Sequence, residues 1–168
     1  MLYVFPSHGV GVEWLTMSTV SGKCNRLVIF SSLAFLAGCS SFNRQWNAAP
    51  VATGPGDIEG KWQGNWRSDK DDHTGNLKCV VTKGAGDLYC AHFVATYWKF
   101  LTFAYDAELQ GTPDGDSVHL VGEQDLGALA GGVYRYDGSA NNTDFHCTYT
   151  SKYDFGKFIM SRPAAETK

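Results

Sequence analysis

From Gly60 onward, hydrophobic and polar residues alternate along the chain. Leu101, Phe103, Tyr105, Ala107 and Leu109 share one parity, and Thr102, Asp106 and Glu108 the other. Trp62, Gly64 and Trp66 stand against Lys61, Gln63, Asn65 and Arg67, and Tyr134 and Tyr136 stand against Val133 and Arg135. A period of two marks an extended strand with one face buried. It predicts eight strands, at about 60–67, 75–83, 86–96, 99–110, 116–124, 130–138, 142–151 and 155–162. Breaks rich in Gly, Asp, Asn and Pro separate them at 69–75, 84–86, 111–115 and 137–142, which is the punctuation of turns. No stretch carries a 3.6-residue apolar stripe long enough for a domain helix. The fold class expected is all-β, a small antiparallel up-and-down barrel of about eight strands. Side chains fill such an interior, or it holds one small ligand.

The first third of the chain follows a different pattern. Lys23 and Arg26 precede the apolar run Leu27–Ala37, which has the length and flanks of a signal peptide and is too short to span a bilayer. Translation is expected to start at Met17. Leu36-Ala37-Gly38-Cys39 then resembles the lipobox of bacterial lipoproteins, in which small residues let the peptidase grip an extended backbone and the cysteine thiolate takes the lipid. This reading makes 1–38 a leader and Cys39 the lipidation site. Residues 39–57, rich in Asn, Ala, Pro, Thr and Gly, form a flexible tether. The barrel domain covers 58–163, and 164–168 is a disordered tail. Phe42 and Trp46 in the tether are suited either to the membrane interface or to the barrel's outer wall. Ser40 and Ser41 follow the cysteine without the Asp of an inner-membrane retention signal, so the address expected is the periplasmic face of the outer membrane.

Removing the leader leaves 12 Lys and Arg (14 less Lys23 and Arg26) against 16 Asp and Glu (17 less Glu13). That mildly acidic balance, without a basic patch, argues against nucleic acid as a partner. Three cysteines remain in an oxidising compartment. Cys79 and Cys90 flank the turn Lys83–Gly86, and a hairpin centred there sets them opposite one another as a candidate disulfide. Cys147 is then the odd, buried thiol.

Few residues suggest chemistry. His73 follows Asp71 and Asp72 in a turn-like segment, and His92, His119 and His146 lie within strands without metal-ligand spacing, so no metal or cofactor is expected. Glu123 and Asp125 form a carboxylate pair of the kind glycosidases use, but no second motif supports it. Phosphate loop, Gly-x-Ser-x-Gly elbow and Cys-x-x-Cys motifs are missing from the sequence. The chain is therefore expected not to be an enzyme.

Two resemblances bear on the fold. Gly60-Lys61-Trp62, with Arg162 near the end of the last strand, is similar to the lipocalin-like (calycin) barrels, in which an arginine lies over the first-strand tryptophan. Trp62 and Arg162 are thereby implied as the pair that closes the barrel. Gly60–Trp66, His73–Leu77, Glu123–Tyr134 and Gly156–Pro163 resemble a family of uncharacterised bacterial envelope lipoproteins, which implies the domain but no activity. The function expected is binding of a small apolar or amphipathic molecule by a lipid-anchored barrel. Its candidate lining is Trp62, Trp66, Phe103, Tyr105 and Tyr134. The alternative is an interaction module for another envelope protein, built on a filled core.

Overall fold

The computed structural model describes residues 37–98 and 101–164, without the side chains of 37–40 and Leu129. Most of the leader and the last four residues lie outside this range. The strands are β1 (Gly60–Ser68), β2 (Thr74–Lys83), β3 (Leu88–Tyr97), β4 (Leu101–Asp114), β5 (Ser117–Asp125), β6 (Val133–Ala140), β7 (Asp144–Thr150) and β8 (Phe155–Ser161). They pair in sequence order, each antiparallel to its neighbours, and β8 returns to β1 to close the barrel. Closure removes the open edges that a flat sheet of eight strands would expose. Inward residues follow the parity of the sequence. On β3, Tyr89, Ala91, Phe93 and Ala95 are buried, while the residues between them are only half-buried.

At the seam, backbones approach closely. A Cβ on Gly64 would run into the Ile159 carbonyl and the Met160 Cα of β8. This explains a glycine between two tryptophans, since only a residue without a side chain lets β1 and β8 meet there.

Three boundaries differ from the pattern. β4 runs on through Pro113, which pairs with Val118, and the chain reverses over Gly115 (φ 59°) and Asp116. Near the end of a ladder, proline costs a single donor, so the turn chemistry of Gly115 decides the reversal. β6 starts at Val133, because Gly127, Gly131 and Gly132 take left-handed φ values of 83°, 100° and 77° around a 3₁₀ turn at Ala128–Ala130. The largest correction concerns residues 39–48, read as part of a flexible tether, with 37 and 38 read as the end of the leader. Ala37–Ala48 form a helix, α1. Phe42 and Trp46 lie one turn apart on one face of it, with ring centroids 5.7 Å apart. Phe42 is 5% exposed and stacks on His92 of β3 at 5.4 Å. Two apolar residues make a stripe too short to recognise as periodicity, yet long enough to dock one helix face on the barrel's outer wall. Residues 49–57 then pass along the outside, tied by the Gly56 N–H to the Asp116 carbonyl at 3.1 Å.

One end of the barrel is sealed. Ile58 and Trp62 are fully buried there, the Trp62 indole N–H donates to the Ile58 carbonyl at 2.9 Å, and Phe145 meets Trp62 edge-on at 5.6 Å. Arg162 covers the indole, its guanidinium carbon 3.8 Å from the ring centroid. Its N–H groups donate to the carbonyls of Asp57 (3.0 Å), Glu59 (2.7 Å), Lys61 (3.3 Å) and Asn142 (3.1 Å). Burial pulls its pKa down, against the pull of Asp57. One side chain thus joins β8 to the segment before β1, to β1 itself and to the turn after β6.

Candidate functional site

The opposite end is lined by aromatic rings. Trp66 and Tyr97 meet at 4.4 Å, Phe103 and Tyr105 at 5.7 Å, and Tyr134 and Tyr149 at 5.9 Å. Beneath them Phe93 stacks with Tyr105 at 5.1 Å, and Phe158 with Tyr149 at 5.1 Å. Alternation places these rings inside, because β1, β3, β4, β6, β7 and β8 each contribute positions of one parity. Four of the five lining candidates, Trp66, Phe103, Tyr105 and Tyr134, belong to this cluster of rings. Trp62 does not: it lies three residues inside the sealed end, under Arg162. Phe93, Tyr97, Tyr136, Tyr149 and Phe158 were not singled out from the sequence, although their parity within each strand points them inward.

Beneath these rings the Tyr136 hydroxyl is buried without a hydrogen-bond partner of good geometry. The Tyr105 hydroxyl faces it, close enough to perturb its ionisation but outside hydrogen-bond geometry. Burial pushes the Tyr105 and Tyr136 phenols well above their usual range and Tyr97 up to about 12. At neutral pH every one of them is a neutral donor. Tyr149 donates instead to Asp154 at 3.1 Å, and Asp154 also accepts from the buried Ser68 hydroxyl at 2.6 Å.

Around the rim, Trp66, Ser68, Asp71, His73, Trp98 and Asp154 border a pocket of about 110 Å³. Gly75 makes room for Trp66, since a Cβ there would meet its indole and the Thr96 carbonyl. Trp98 holds a left-handed φ of 46° and is 68% exposed. For so large a side chain that backbone is a true outlier, of the kind that clusters at binding sites. Leu101, Tyr153 and Phe155 are also exposed, so the apolar surface gathers at this end. The segments His73–Leu77 and Glu123–Tyr134, far apart in sequence, both reach this rim.

The remaining candidates are accounted for individually. Asp71 holds His73 through Nδ1 at 2.9 Å and accepts the His73 backbone N–H at 3.2 Å; that N–H above all keeps the Asp71 carboxyl below its usual range. His92 bonds Asp106, and His119 bonds Asp137 at 2.9 Å. These histidines stay apart, and among the described residues no cluster could hold a metal. Glu123 pairs with Arg135 across the strands at 2.8 Å, and Asp125 caps the Gly127 N–H at 2.8 Å, so both carboxylates serve structure.

The Cys79–Cys90 disulfide does not form. The β2–β3 turn is Gly84–Asp87, closed by the Gly84 N–H to the Leu88 carbonyl, so Cys79 faces Phe93 and Cys90 faces Thr82. That register puts Cys79 inside and Cys90 outside, where no bond can join them. Cys79 and Cys147 are free and buried, and burial raises both thiols, Cys147 to about 12. Cys90 is disulfide-bonded. Cys39 falls in α1, where side chains before Ser41 are not described. Among the described residues no helix is long and apolar enough to cross a membrane.

Family models, curated proteins and solved structures were compared with the chain, and none matches.

Proposed function

We propose that the chain is an envelope lipoprotein, held at the periplasmic face of the outer membrane through Cys39, whose barrel takes a small amphipathic molecule into its open end. It performs no chemistry on that molecule and holds no nucleic acid. The observation that carries the reading is the Tyr136 hydroxyl, buried among aromatic rings with only the Tyr105 hydroxyl facing it and no hydrogen bond of good geometry. Buried polar groups nearly always have a partner, and one left open among apolar rings is suited to a ligand's oxygen or nitrogen. The rings supply apolar contact, and the Tyr105 and Tyr136 phenols orient a polar head.

The test is titration with fatty acids, sterols and phenolics, followed by Trp66 fluorescence. A saturable change is expected for at least one class, and Tyr136→Phe should weaken it roughly five- to ten-fold, as loss of one hydrogen bond does. The same substitution should leave the empty protein's melting temperature unchanged or raised, because it deletes an unsatisfied group. A flat response across the panel ends the pocket reading. For the anchor, mass spectrometry should find a thioether-linked diacylglycerol on Cys39; recovering Cys39 in a disulfide with Cys90 would overturn it.

The exposed Trp98, Leu101, Tyr153 and Phe155 favour a second reading, in which the rim docks another envelope protein. In that case Trp98→Ala abolishes capture of one reproducible partner, and Tyr136→Phe has no effect.

A further inference from the structure

A second cavity lies outside the barrel, between its wall and the segment that follows α1. It encloses about 610 Å³, and its borders include Trp46, Lys61, Gln63, Lys78, Asn142 and Arg162. Lys61 and Gln63 alternate outward on β1, and Lys78 stands opposite Gln63 on β2. Both lysines reach for the same indole, with Nζ 5.7 and 5.0 Å from the Trp46 centroid. Among the described residues neither is in an ion pair and no carboxylate borders the cavity. Asp57, the acidic group nearest Arg162, lies outside the lining, and the charge of Arg162 helps to lower its pKa. Its carboxylate is engaged by the Thr53 N–H and hydroxyl and by the Glu59 N–H. These donors outweigh the burial that pushes its pKa up. Arg162 has its N–H groups occupied by carbonyls and contributes charge alone.

Three cations around one concavity are unusual in a chain of net charge −3. Like charges brought together destabilise the empty protein unless an anion or solvent screens them. Trp46, Pro50, Val51 and Pro163 give part of the border an apolar wall, beside the polar Gln63 and Asn142. Cationic Nζ groups beside an indole and a short apolar wall match the phosphodiester of a lipid headgroup and the first carbons of its chains. We infer that this groove binds the phosphate of an anionic membrane phospholipid. α1 points to the lipid rather than to free phosphate as the source. Trp46 lies seven residues along α1 from Cys39, about 10 Å at a helical rise, so a chain anchored at Cys39 holds the groove at the headgroup layer. The groove belongs to the folded chain, and its affinity for a phosphodiester persists whether or not Cys39 carries lipid.

The experiment titrates the full-length chain with a short-chain phosphatidylglycerol below its micelle concentration, with phosphatidylcholine of the same chains, and with inorganic phosphate. The signal is the fluorescence that Trp46→Phe removes. Phosphatidylglycerol should bind, with an affinity that falls as salt rises. Phosphatidylcholine should bind more weakly, and inorganic phosphate should not compete at comparable concentration. Each lysine at a membrane surface is worth about a five-fold change, so Lys61→Gln with Lys78→Gln should lower the affinity roughly 25-fold. Both residues face outward, and relief of their repulsion offsets the two lost contacts with Trp46, so the double variant should melt close to the wild type. Wild-type affinity in the double variant, or equal binding of both lipids, would overturn the inference. Competition by inorganic phosphate at the same concentration would identify a free-anion site and overturn the membrane source.

Discussion

Arg162 shows how far one side chain can hold a fold together. It stacks on Trp62 and donates to four carbonyls on three segments. Its truncation to Ala removes the cation over the ring, uncaps those carbonyls and exposes the indole. The expected cost is about 1–3 kcal/mol, through lost packing as much as lost charge, or a melting temperature lower by roughly 5–15 °C. Arg162→Lys should recover little of it, because one ammonium cannot reach all four carbonyls or stack flat. Thermal melts of the two variants check this, and wild-type stability in Arg162→Ala would mean that the guanidinium is incidental. The pair was legible in the sequence through its place at the two ends of the barrel. The position of Cys79 was not. Whether Cys79 meets Cys90 or Phe93 depends on the register of a hairpin, and the turn falls at Gly84–Asp87 rather than Lys83–Gly86.

At the scale of elements, the strands were readable and the helix was not. Alternation over seven or more residues is a strong local signal, and all eight strands follow it. α1 carries only Phe42 and Trp46 on its docked face, and an isolated helix of 12 residues is marginal in water. Its stability therefore comes from contact with β3. Phe42→Ala should remove about 1.5–3 kcal/mol of burial and release the helix while the barrel stays closed. Hydrogen exchange should show amides 41–48 losing protection, with those of β1–β8 unchanged. Loss of protection across the strands as well would mean that α1 is part of the barrel's cooperative unit. The rim was half-legible. Trp66, Phe103 and Tyr134 were visible as aromatic residues in alternating strands, but the exposure of Trp98 and its backbone follows from how β3 turns into β4.

For the whole molecule, the buried phenols and thiols make an alkaline prediction. Tyr97 is raised to about 12, and Tyr105, Tyr136, Tyr149 and Cys79 are raised as well, in each case chiefly by burial. Cys147 is raised to about 12 by burial too. Unfolded tyrosines titrate near 10 and cysteines near 8.5. A raised pKa means that the folded chain holds protons the unfolded chain has released, so stability is fully present below those values and falls as pH rises through them. The denaturant midpoint should decline from about pH 8.5–10 upward. The tyrosinate absorbance should then rise together with unfolding rather than before it. Smooth ionisation of every tyrosine near pH 10, with the barrel intact, would show the interior open to water.

The sequence by itself determined the strand count, the inward parity of each strand, the seam glycine and the pairing of the chain's ends, because each follows from local alternation or from closure of a sheet in order. Register, by contrast, is set by which turn closes each hairpin, and it placed Cys79 inside and Cys90 outside. The gathering of six strands' rings at one end, the unpartnered Tyr136 hydroxyl, and the two lysines under Trp46 join residues distant in the chain. Only the closed barrel brings them together, because its curvature and shear decide which of many inward or outward positions become neighbours.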